Sequence, residues 1–197
     1  MRLRFNFMNK KVLIIGAGGH AKVIANIVQK SEDVVVGFLD DNANRVGESF
    51  FGSEILGTIS DYKKYAPDTY FIIALGNNTL RKELSEEICG RWYTAIHPSA
   101  IIGKGVDLGE GSFIGAGVII NADATVGKHT IINTCSVIEH DCTVEDYAHL
   151  APHTTMCGGS SVGELSLIGA GAVLTNGSRV GIGTILEAGT IFKPNQQ

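Results

Sequence analysis

The chain has 197 residues, enough for one large domain or two small ones, and its hydrophobic content of 44% is ordinary for a globular protein. Its formal net charge of -4, without a basic cluster, gives no reason to expect nucleic acid or a membrane surface as a partner. No apolar stretch approaches the roughly 18 residues that span a bilayer, and whether the natural start is Met1 or Met8, the N-terminus has no apolar region long enough for a signal peptide.

The first elements form a strand–turn–helix–strand pattern. An apolar run over residues 11–15 is followed by Gly16-Ala-Gly-Gly-His20, and residues 21–30 carry apolar side chains at helical intervals. A second apolar run over residues 34–39 ends in Asp40-Asp41-Asn42. This order predicts a βαβ unit with a parallel sheet.

The next segment extends this unit. Residues 42–57 are rich in Gly, Asn and Ser, which predicts a loop, and residues 60–65 predict a short helix. A third apolar strand over 70–75 ends in Gly76-Asn77-Asn78, and residues 79–88 predict a second helix. These elements amount to about half of a dinucleotide-binding fold.

The glycine turn lies where a Rossmann-type phosphate loop would lie. Gly18 and Gly19 would let backbone N–H groups approach a diphosphate at the positive end of the helix. Asp40 and Asp41 end the second strand, where an acid commonly holds a ribose hydroxyl. NAD binding is one interpretation, but half a Rossmann fold suits a nucleotide with a sugar on its diphosphate better. A purely structural tight turn is the remaining alternative.

Two more residues at this edge of the sheet are candidates for substrate binding. His20, on the predicted phosphate loop, would either contact a ligand or point to solvent. Asn77 follows the third strand, and the carboxyl ends of parallel strands meet at one edge of a sheet.

The four cysteines are Cys89, Cys135, Cys142 and Cys157. They contain no C-x-x-C pair, which argues against a zinc site or a redox motif. We therefore expect a reduced, cytoplasmic protein without a metal.

From Ile96 to Phe192 every sixth residue is apolar, and the residue two places before each is small or β-branched. A period of six fits neither an α-helix nor an open sheet, whose periods are 3.6 and 2. It predicts three sides per coil of about 18 residues, with parallel pairing between about five stacked coils. We therefore predict two domains, a half-Rossmann (βαβαβ) domain over residues 1–91 and a repeat domain over 92–197.

Glu139-His140-Asp141 puts a histidine between two acids at a predicted corner of the repeat, with its side chain outward. Imidazole has a pKa near 6.5, so it can accept a proton at neutral pH, and a neighbouring carboxylate can orient it. This predicts a general base, although a plain surface histidine would show the same pattern. His149, nine residues further along the repeat, is a second candidate for the same site. The histidines are not spaced like the three-histidine zinc site of β-helix hydratases.

The glycine turn, Asp40-Asp41-Asn42, Gly76-Asn77-Asn78-x-x-Arg81, Glu139-His140-Asp141 and the hexapeptide run together resemble the bacterial sugar acetyltransferases related to sialic acid O-acetyltransferase and UDP-4-amino-sugar N-acetyltransferase. The resemblance covers nearly the whole chain. It implies a left-handed parallel β-helix for the repeat domain and a nucleotide-sugar site in the N-terminal domain. It also implies acetyl-CoA bound along the β-helix, between subunits of a homotrimer.

The resemblance further implies roles for single residues. His140 would be the general base, and Asp141 would orient it. The implied acetyl-CoA contacts are His149, Gly158, Ala170 and Ala188. The expected contacts to the nucleotide sugar are Gly18, Gly19, His20, Asp40, Asp41 and Asn77.

The function implied is acetyl-CoA-dependent N-acetylation of a nucleotide-linked 4-amino-4,6-dideoxy sugar, with a UDP-linked sugar favoured, in glycan or polysaccharide precursor synthesis. O-acetylation of sialic acid or a related sugar is the alternative chemistry. A non-catalytic nucleotide-sugar-binding protein is the alternative of another class. The sequence does not separate UDP, GDP and CMP as the nucleotide.

Overall fold

The computed structural model describes residues 9–66 and 68–194, so Met1 and Met8 lie outside the described residues. The N-terminal unit combines strands with two α-helices and two short 3-10 helices, η1 and η2. In chain order its elements are β1 Lys11–Ile15, α1 Gly19–Lys30, β2 Val34–Leu39, η1 Ala43–Arg45, β3 Ser49–Phe50, β4 Ser53–Gly57, η2 Ile59–Lys64, β5 Tyr70–Ile73, α2 Asn78–Glu87 and β6 Arg91–Trp92.

One sheet holds the N-terminal unit together, with strand order β3-β4-β2-β1-β5-β6. Its strands pair in parallel, except that β3 and β4 form an antiparallel hairpin. Alternate residues of β1 enter two different clusters: Val12 and Ile14 pack with α1, while Leu13 and Ile15 pack with η2 and α2. Burial on both faces explains the continuous apolar run and confirms the predicted half-Rossmann fold.

The prediction of a loop over residues 42–57 is wrong, because this segment contains η1 and the β3–β4 hairpin. β4 pairs in parallel with β2, placing Phe38 opposite Ile55. The strands are short and are flanked by Gly47 and Gly52, whose φ angles are +85° and +83°. Because this segment has few apolar side chains and several glycines, its sequence does not show the alternation that predicts a strand.

Both predicted helices that follow are present, with shifted bounds. η2 is held at its start by Asp61, whose Oδ2 accepts the Thr58 backbone N–H at 2.9 Å. α2 starts one residue earlier than expected, at Asn78. From the apolar spacing, Leu80 should share a buried face with Leu84 and Ile88, but Leu80 is 41% exposed, and Arg81 lies on that face instead.

The repeat forms the predicted β-helix from strands of two residues each. In chain order the strands are β7 Ala95–Ile96, β8 Ile101–Ile102, β9 Asp107–Leu108, β10 Phe113–Ile114, β11 Ile119–Ile120, β12 Thr125–Val126, β13 Ile131–Ile132, β14 Val137–Ile138, β15 Thr143–Val144, β16 His149–Leu150, β17 Thr155–Met156, β18 Ser161–Val162, β19 Leu167–Ile168, β20 Val173–Leu174, β21 Arg179–Val180, β22 Ile185–Leu186 and β23 Ile191–Phe192.

These strands make three parallel sheets, which are the three sides of a left-handed coil. Side 1 contains β7, β10, β13, β16, β19 and β22; side 2 contains β8, β11, β14, β17, β20 and β23; side 3 contains β9, β12, β15, β18 and β21. Each strand pairs with the one 18 residues away, as in Ile114 with Ile132. We name the corners by the sides that they join: corner 1/2, corner 2/3 and corner 3/1.

The interior of the coil follows the six-residue pattern. The second residue of each strand points inward, and Ile114, Ile138 and Leu174 are fully buried. The small position two places earlier is also buried, as at Ser136 and Ala172. A large and a small side chain per side fill the narrow prism, and the coils stack in register.

The corners use left-handed backbone at residues other than glycine. His129, Asp141, Tyr147 and Leu165 have φ between 50° and 61°. Such angles are costly for residues with a Cβ, but each corner is tied to the previous coil, as where the Asp141 N–H donates to the Ala122 carbonyl at 3.2 Å. The coil therefore fixes these residues in place, with carbonyls and side chains directed outward.

The N-terminal unit packs on side 1. Phe113 and Ile131, which point outward from side 1, share one buried cluster with Ile24 and Ile27 of α1. β6 crosses the predicted boundary between residues 91 and 92, and the division at that point stays a prediction. None of the helices in the described part of the chain has the length and apolar character that crossing a membrane requires.

Candidate active site

His140 and Asp141 form corner 2/3 between β14 and β15. The His140 Nδ1 and Asp141 Oδ2 atoms are 2.7 Å apart, and the two side chains are 62% and 67% exposed. A carboxylate only accepts, so Nδ1 carries the proton and Nε2 keeps a free lone pair. The hydrogen bond and charge of Asp141 raise the pKa of His140, and the charge of Glu139 adds to this effect.

The coil also sets the surroundings of this imidazole. Gly158 occupies the same corner one coil later, and a Cβ there would lie 2.7 Å from His140 Cε1 and 2.8 Å from Nε2. The ring therefore fits against the corner only because position 158 is glycine. Glu139 is fixed by the Asn121 side-chain amide, which donates to its Oε2 at 3.0 Å.

The glycine turn has the open geometry that anion binding requires. A Cβ at Gly18 or Gly19 would meet nothing within 4 Å. Gly18 is the N-cap of α1, where no side chain caps the helix and no acid lies in the first turn. Gly16 has φ +99°, and its N–H donates to the Leu39 carbonyl at 2.6 Å. The positive end of α1 is thus accessible to a phosphate group.

The three polar candidates beside the turn also hold local structure. Asp40 accepts the Ala17 N–H at 2.8 Å and the Asn42 N–H at 3.0 Å. Asp41 Oδ1 lies 3.4 Å from the Ile59 N–H, and Asn77 Oδ1 caps α2 by accepting the Leu80 N–H at 2.9 Å. Their assignment to substrate binding stays a prediction, and each has a structural role that sequence patterns did not reveal.

His20 and His149 meet in the seam between the two units. The His20 ring lies edge-on to Phe113, with centroids 4.6 Å apart. Burial lowers the pKa of each histidine to about 4, with the charge of Arg81 contributing to both. His20 Nε2 and both ring nitrogens of His149 are buried and make no hydrogen bond of regular geometry in the described structure, although the Gly76 backbone lies close enough to the His149 ring to oppose the lowering of its pKa. Buried polar atoms without a regular hydrogen bond call for an explanation, and contact with a bound ligand would be one.

The structure does not bring His149 and His140 together within one chain. His149 points outward from side 1, whereas His140 lies at corner 2/3, which is opposite side 1 in a triangular coil. The other implied cofactor contacts are also divided: Gly158 is at corner 2/3, and Ala170 and Ala188 follow each other at corner 1/2. A common cleft for these residues would need a second copy of the chain, and their roles stay predictions.

Arg81 belongs to a motif that the sequence shares with the family, but the sequence assigned it no role. It is 1% exposed and bridges the N-terminal unit and corner 3/1, with Nε donating to the His129 carbonyl at 2.7 Å. Positions 81, 84 and 88 lie on one face of α2, so an arginine in line with Leu84 and Ile88 was the available signal.

Metal binding has no candidate in residues 9–66 and 68–194, where no group of His, Cys, Asp or Glu side chains could hold an ion. The four cysteines are free thiols.

Comparison with known proteins supports the same family in both halves of the chain. Residues 11–88 match the family model of the PglD N-terminal domain. The chain is 40% identical over 114 residues to UDP-N-acetylbacillosamine N-acetyltransferase from Bacillus subtilis (strain 168), a match that spans 53% of this chain and 51% of that protein. The matched segment is thus about half the length of that curated relative.

Solved structures resemble nearly the whole chain. A histidine-to-alanine mutant of GDP-perosamine N-acetyltransferase from Caulobacter crescentus, in complex with CoA and GDP-perosamine, has 34% sequence identity and a TM-score of 0.86 over 93% of this chain and 89% of its own. The acetyltransferase domain of PglB from Neisseria gonorrhoeae FA1090, in complex with acetyl coenzyme A, has 29% identity and a TM-score of 0.87 over 94% and 93%. The chain therefore belongs to the family of bacterial hexapeptide-repeat sugar acetyltransferases.

Proposed function

We propose that the chain is an acetyl-CoA-dependent N-acetyltransferase acting on the amino group of a nucleotide-linked 4-amino-4,6-dideoxy sugar in glycan precursor synthesis. The observation that carries this proposal is the His140–Asp141 pair at 2.7 Å, which leaves an exposed Nε2 lone pair. An amine must lose a proton as it attacks a thioester, and such an imidazole can take it. The names of the B. subtilis and C. crescentus relatives support N-acetylation over O-acetylation.

The reaction would be a direct transfer within a ternary complex. The sugar amine attacks the thioester carbonyl carbon while His140 Nε2 takes a proton from the nitrogen. The tetrahedral oxyanion is stabilised by backbone N–H groups at a corner. The carbon–sulfur bond then breaks, and the departing CoA sulfur receives the proton from the imidazolium.

The N-terminal unit would bind the nucleotide sugar. The open turn at Gly18 and Gly19 suits the diphosphate, and the exposed Asp41 and the seam histidine His20 suit the sugar or nucleoside. We favour a UDP-linked sugar, as named for the B. subtilis relative that is 40% identical over 114 residues. A GDP-linked sugar is the second candidate, because the GDP-perosamine enzyme is 34% identical over 93% of this chain.

We also propose that the enzyme works as a homotrimer in the cytoplasm, where acetyl-CoA and nucleotide sugars are made. The support is side 2, whose outward residues are mostly aliphatic and lie beside corner 2/3. Ile101 and Ile191 are 61% and 60% exposed. The outward column of side 2 is Ile101, Ile119, Val137, Thr155, Val173 and Ile191. The equivalent column on side 3 is polar, so side 2 is the surface on which a second copy would bury apolar area.

The trimer has its own test. Val137→Glu on side 2 should dissociate the assembly in sedimentation experiments and remove activity, while Thr143→Glu on side 3 should leave both unchanged. A Val137→Glu chain that keeps the native mass and full turnover would contradict the proposed interface.

The proposed activity is tested with a panel of UDP-, GDP- and CMP-linked amino sugars, incubated with acetyl-CoA and followed by free-thiol release. We expect fastest release with a UDP-linked 4-amino sugar and an amide in the product by mass spectrometry. An ester product with hydroxyl acceptors would instead indicate O-acetylation. Nucleotide-sugar binding without any thiol release would indicate a non-catalytic binding protein.

A further inference from the structure

Arg81 is a buried cation without an acidic partner. It is 1% exposed, and no carboxylate forms an ion pair with it in the described parts of the chain. Burial lowers its pKa to about 10, which still leaves it protonated at neutral pH. A buried charge is tolerated only where its donors are hydrogen-bonded. The hydrogen-bond acceptors of Arg81 therefore indicate the role of its charge.

Those contacts are oxygen atoms of both units. In the β-helix, Nε donates to the His129 carbonyl at 2.7 Å and Nη2 to the Tyr147 carbonyl at 2.6 Å. In the N-terminal unit, Nη1 donates to the Leu75 carbonyl at 3.0 Å and Nη2 to Asn78 Oδ1 at 2.8 Å. One planar guanidinium thus joins the β5–α2 loop to two successive coils.

The corner residues are arranged to receive this side chain. His129 and Tyr147 stack one coil apart at corner 3/1 with φ of 50° and 60°, a backbone conformation shared by Leu165 in the next coil. Asn78 continues the column, since its amide donates to the Leu165 carbonyl at 2.8 Å. α2 therefore contacts a ladder of corner carbonyls, and the six-residue repeat sets the spacing of that ladder.

The loop that Arg81 holds lies against both the glycine turn and the seam. The Leu75 side chain approaches so closely that a Cβ at Gly16 would be 2.9 Å from its Cδ2. The backbone of Gly76, the next residue, lies beside the His149 ring, where it opposes the lowering of the His149 pKa by burial. Moving this loop would move the glycine turn relative to His149.

Other contacts keep the two units together without Arg81. Phe113 and Ile131 are buried against α1. Lys82 pairs with Glu164 at 2.7 Å, and Ser85 Oγ lies 3.0 Å from the Tyr147 hydroxyl. The arginine is therefore not needed simply to attach the N-terminal unit.

We propose that Arg81 is a positioning residue for the acceptor substrate: by tying the β5–α2 loop to the corner carbonyls, it fixes the glycine turn and His20 relative to the β-helix, at the spacing the nucleotide sugar requires. This inference rests on the proposed function. It assigns no contact between Arg81 and the reacting atoms.

The test is a separation of Michaelis constants in Arg81→Lys, which keeps the charge but cannot reach four oxygens, and in Arg81→Ala. We expect KM for the nucleotide sugar to rise roughly ten- to a hundredfold, as when positioned groups move by about 1 Å. KM for acetyl-CoA should stay unchanged, because the implied acetyl-CoA contacts lie on the β-helix. Added guanidinium should partly restore Arg81→Ala. Lys82→Met, which breaks an ion pair across the same interface, is the control and should leave both constants unchanged.

Amide hydrogen exchange gives a readout that does not depend on catalysis. In Arg81→Lys, exchange should increase at residues 74–78 and in the glycine turn but not in the strands of the β-helix. A parallel rise in both Michaelis constants, or faster exchange throughout both units, would make Arg81 a general stability residue and overturn the proposal. If the wild-type chain releases no thiol with any acceptor, the proposed function fails, and the exchange pattern alone still decides whether Arg81 fixes the loop.

Discussion

Histidines occur in two opposite environments in this protein: the exposed corner at His140 and the buried seam between the two units. Asp141 raises the pKa of His140, which lies at the surface. In the seam, burial first and the charge of the nearby Arg81 in addition lower the pKa values of His20, His129 and His149 to about 4. One imidazole is thus prepared to take a proton, and three are kept neutral.

The difference follows from position in the coil. A corner side chain at corner 2/3 meets solvent and its own neighbours, so a single adjacent acid dominates its electrostatics. Side 1 is covered by α1 and corner 3/1 by α2, so a histidine there loses contact with water and lies near the buried guanidinium of Arg81. We therefore expect proton transfer in the first region and uncharged hydrogen bonding to a substrate in the second.

Removing the base should have the largest effect. In His140→Ala, we expect turnover to fall by roughly two to four powers of ten, the usual contribution of a general base, with nucleotide-sugar binding retained in calorimetry. Asp123→Asn, at the same corner one coil earlier, is the control and should keep full activity. A His140→Ala chain with wild-type turnover would remove His140 from the mechanism.

Removing the acid should have a smaller effect. Asp141→Asn keeps a residue that tolerates the φ of 59° but loses the charge that raises the pKa of His140. We expect turnover to fall roughly ten- to a hundredfold, less than for loss of the base itself. The acid limb of the pH–rate profile should move to lower pH, because a less basic imidazole loses its proton earlier. An unmoved profile would show that Asp141 does not set the protonation of His140.

The register of the repeat explains which half of this comparison could be predicted. Every sixth residue is apolar without interruption, so the side, corner and inward or outward direction of each position follow from counting. The sequence therefore predicts His140 at an outward corner beside Asp141. Its partner, its exposure and the direction of its pKa shift depend only on sequence neighbours.

The seam could not be predicted in the same way, because it depends on which side the N-terminal unit covers. Counting places His149 outward on side 1, but it does not show that α1 and the β5–α2 loop pack there. The same limit applies to Arg81, whose acceptors His129 and Tyr147 are 48 and 66 residues away. Asp40 and Asn77 illustrate a local limit: an acid or an amide after a strand suits a ligand and a backbone N–H equally well.

Displacing the base without removing it should have a weaker effect again. In Gly158→Ala, the new methyl group meets the His140 ring, which must rotate away from the corner. We expect kcat to fall about tenfold, below the hundredfold that a 1 Å misplacement can cost. The pH–rate profile should also change, because the displaced imidazole no longer pairs with Asp141 in the same way. Gly181→Ala, where a Cβ would meet only Thr184 Oγ1 at 3.6 Å, is the matched control. Equal rates in the two variants would show that the ring does not need this glycine.

Replacing His129 in the seam should have the smallest effect on turnover. Its effect should instead be on the free energy of unfolding. His129 stacks on Tyr147 and lies edge-on to Trp92, and its pKa of about 4 is below the 6.5 of an exposed histidine, because of burial first and then Arg81. Between these values the unfolded chain binds more protons, so the free energy of unfolding must fall as pH falls from 6.5 towards 4.

His129→Phe keeps the ring and removes this group, so the loss of stability between pH 7 and pH 4.5 should be smaller by about 2 to 3 kcal/mol. Urea unfolding followed by the fluorescence of Trp92 measures this, and the same experiment at pH 8 isolates the packing change. An identical loss in both chains would show that His129 can be protonated in the folded protein, and the contrast between corner and seam would then rest on His20 and His149 alone.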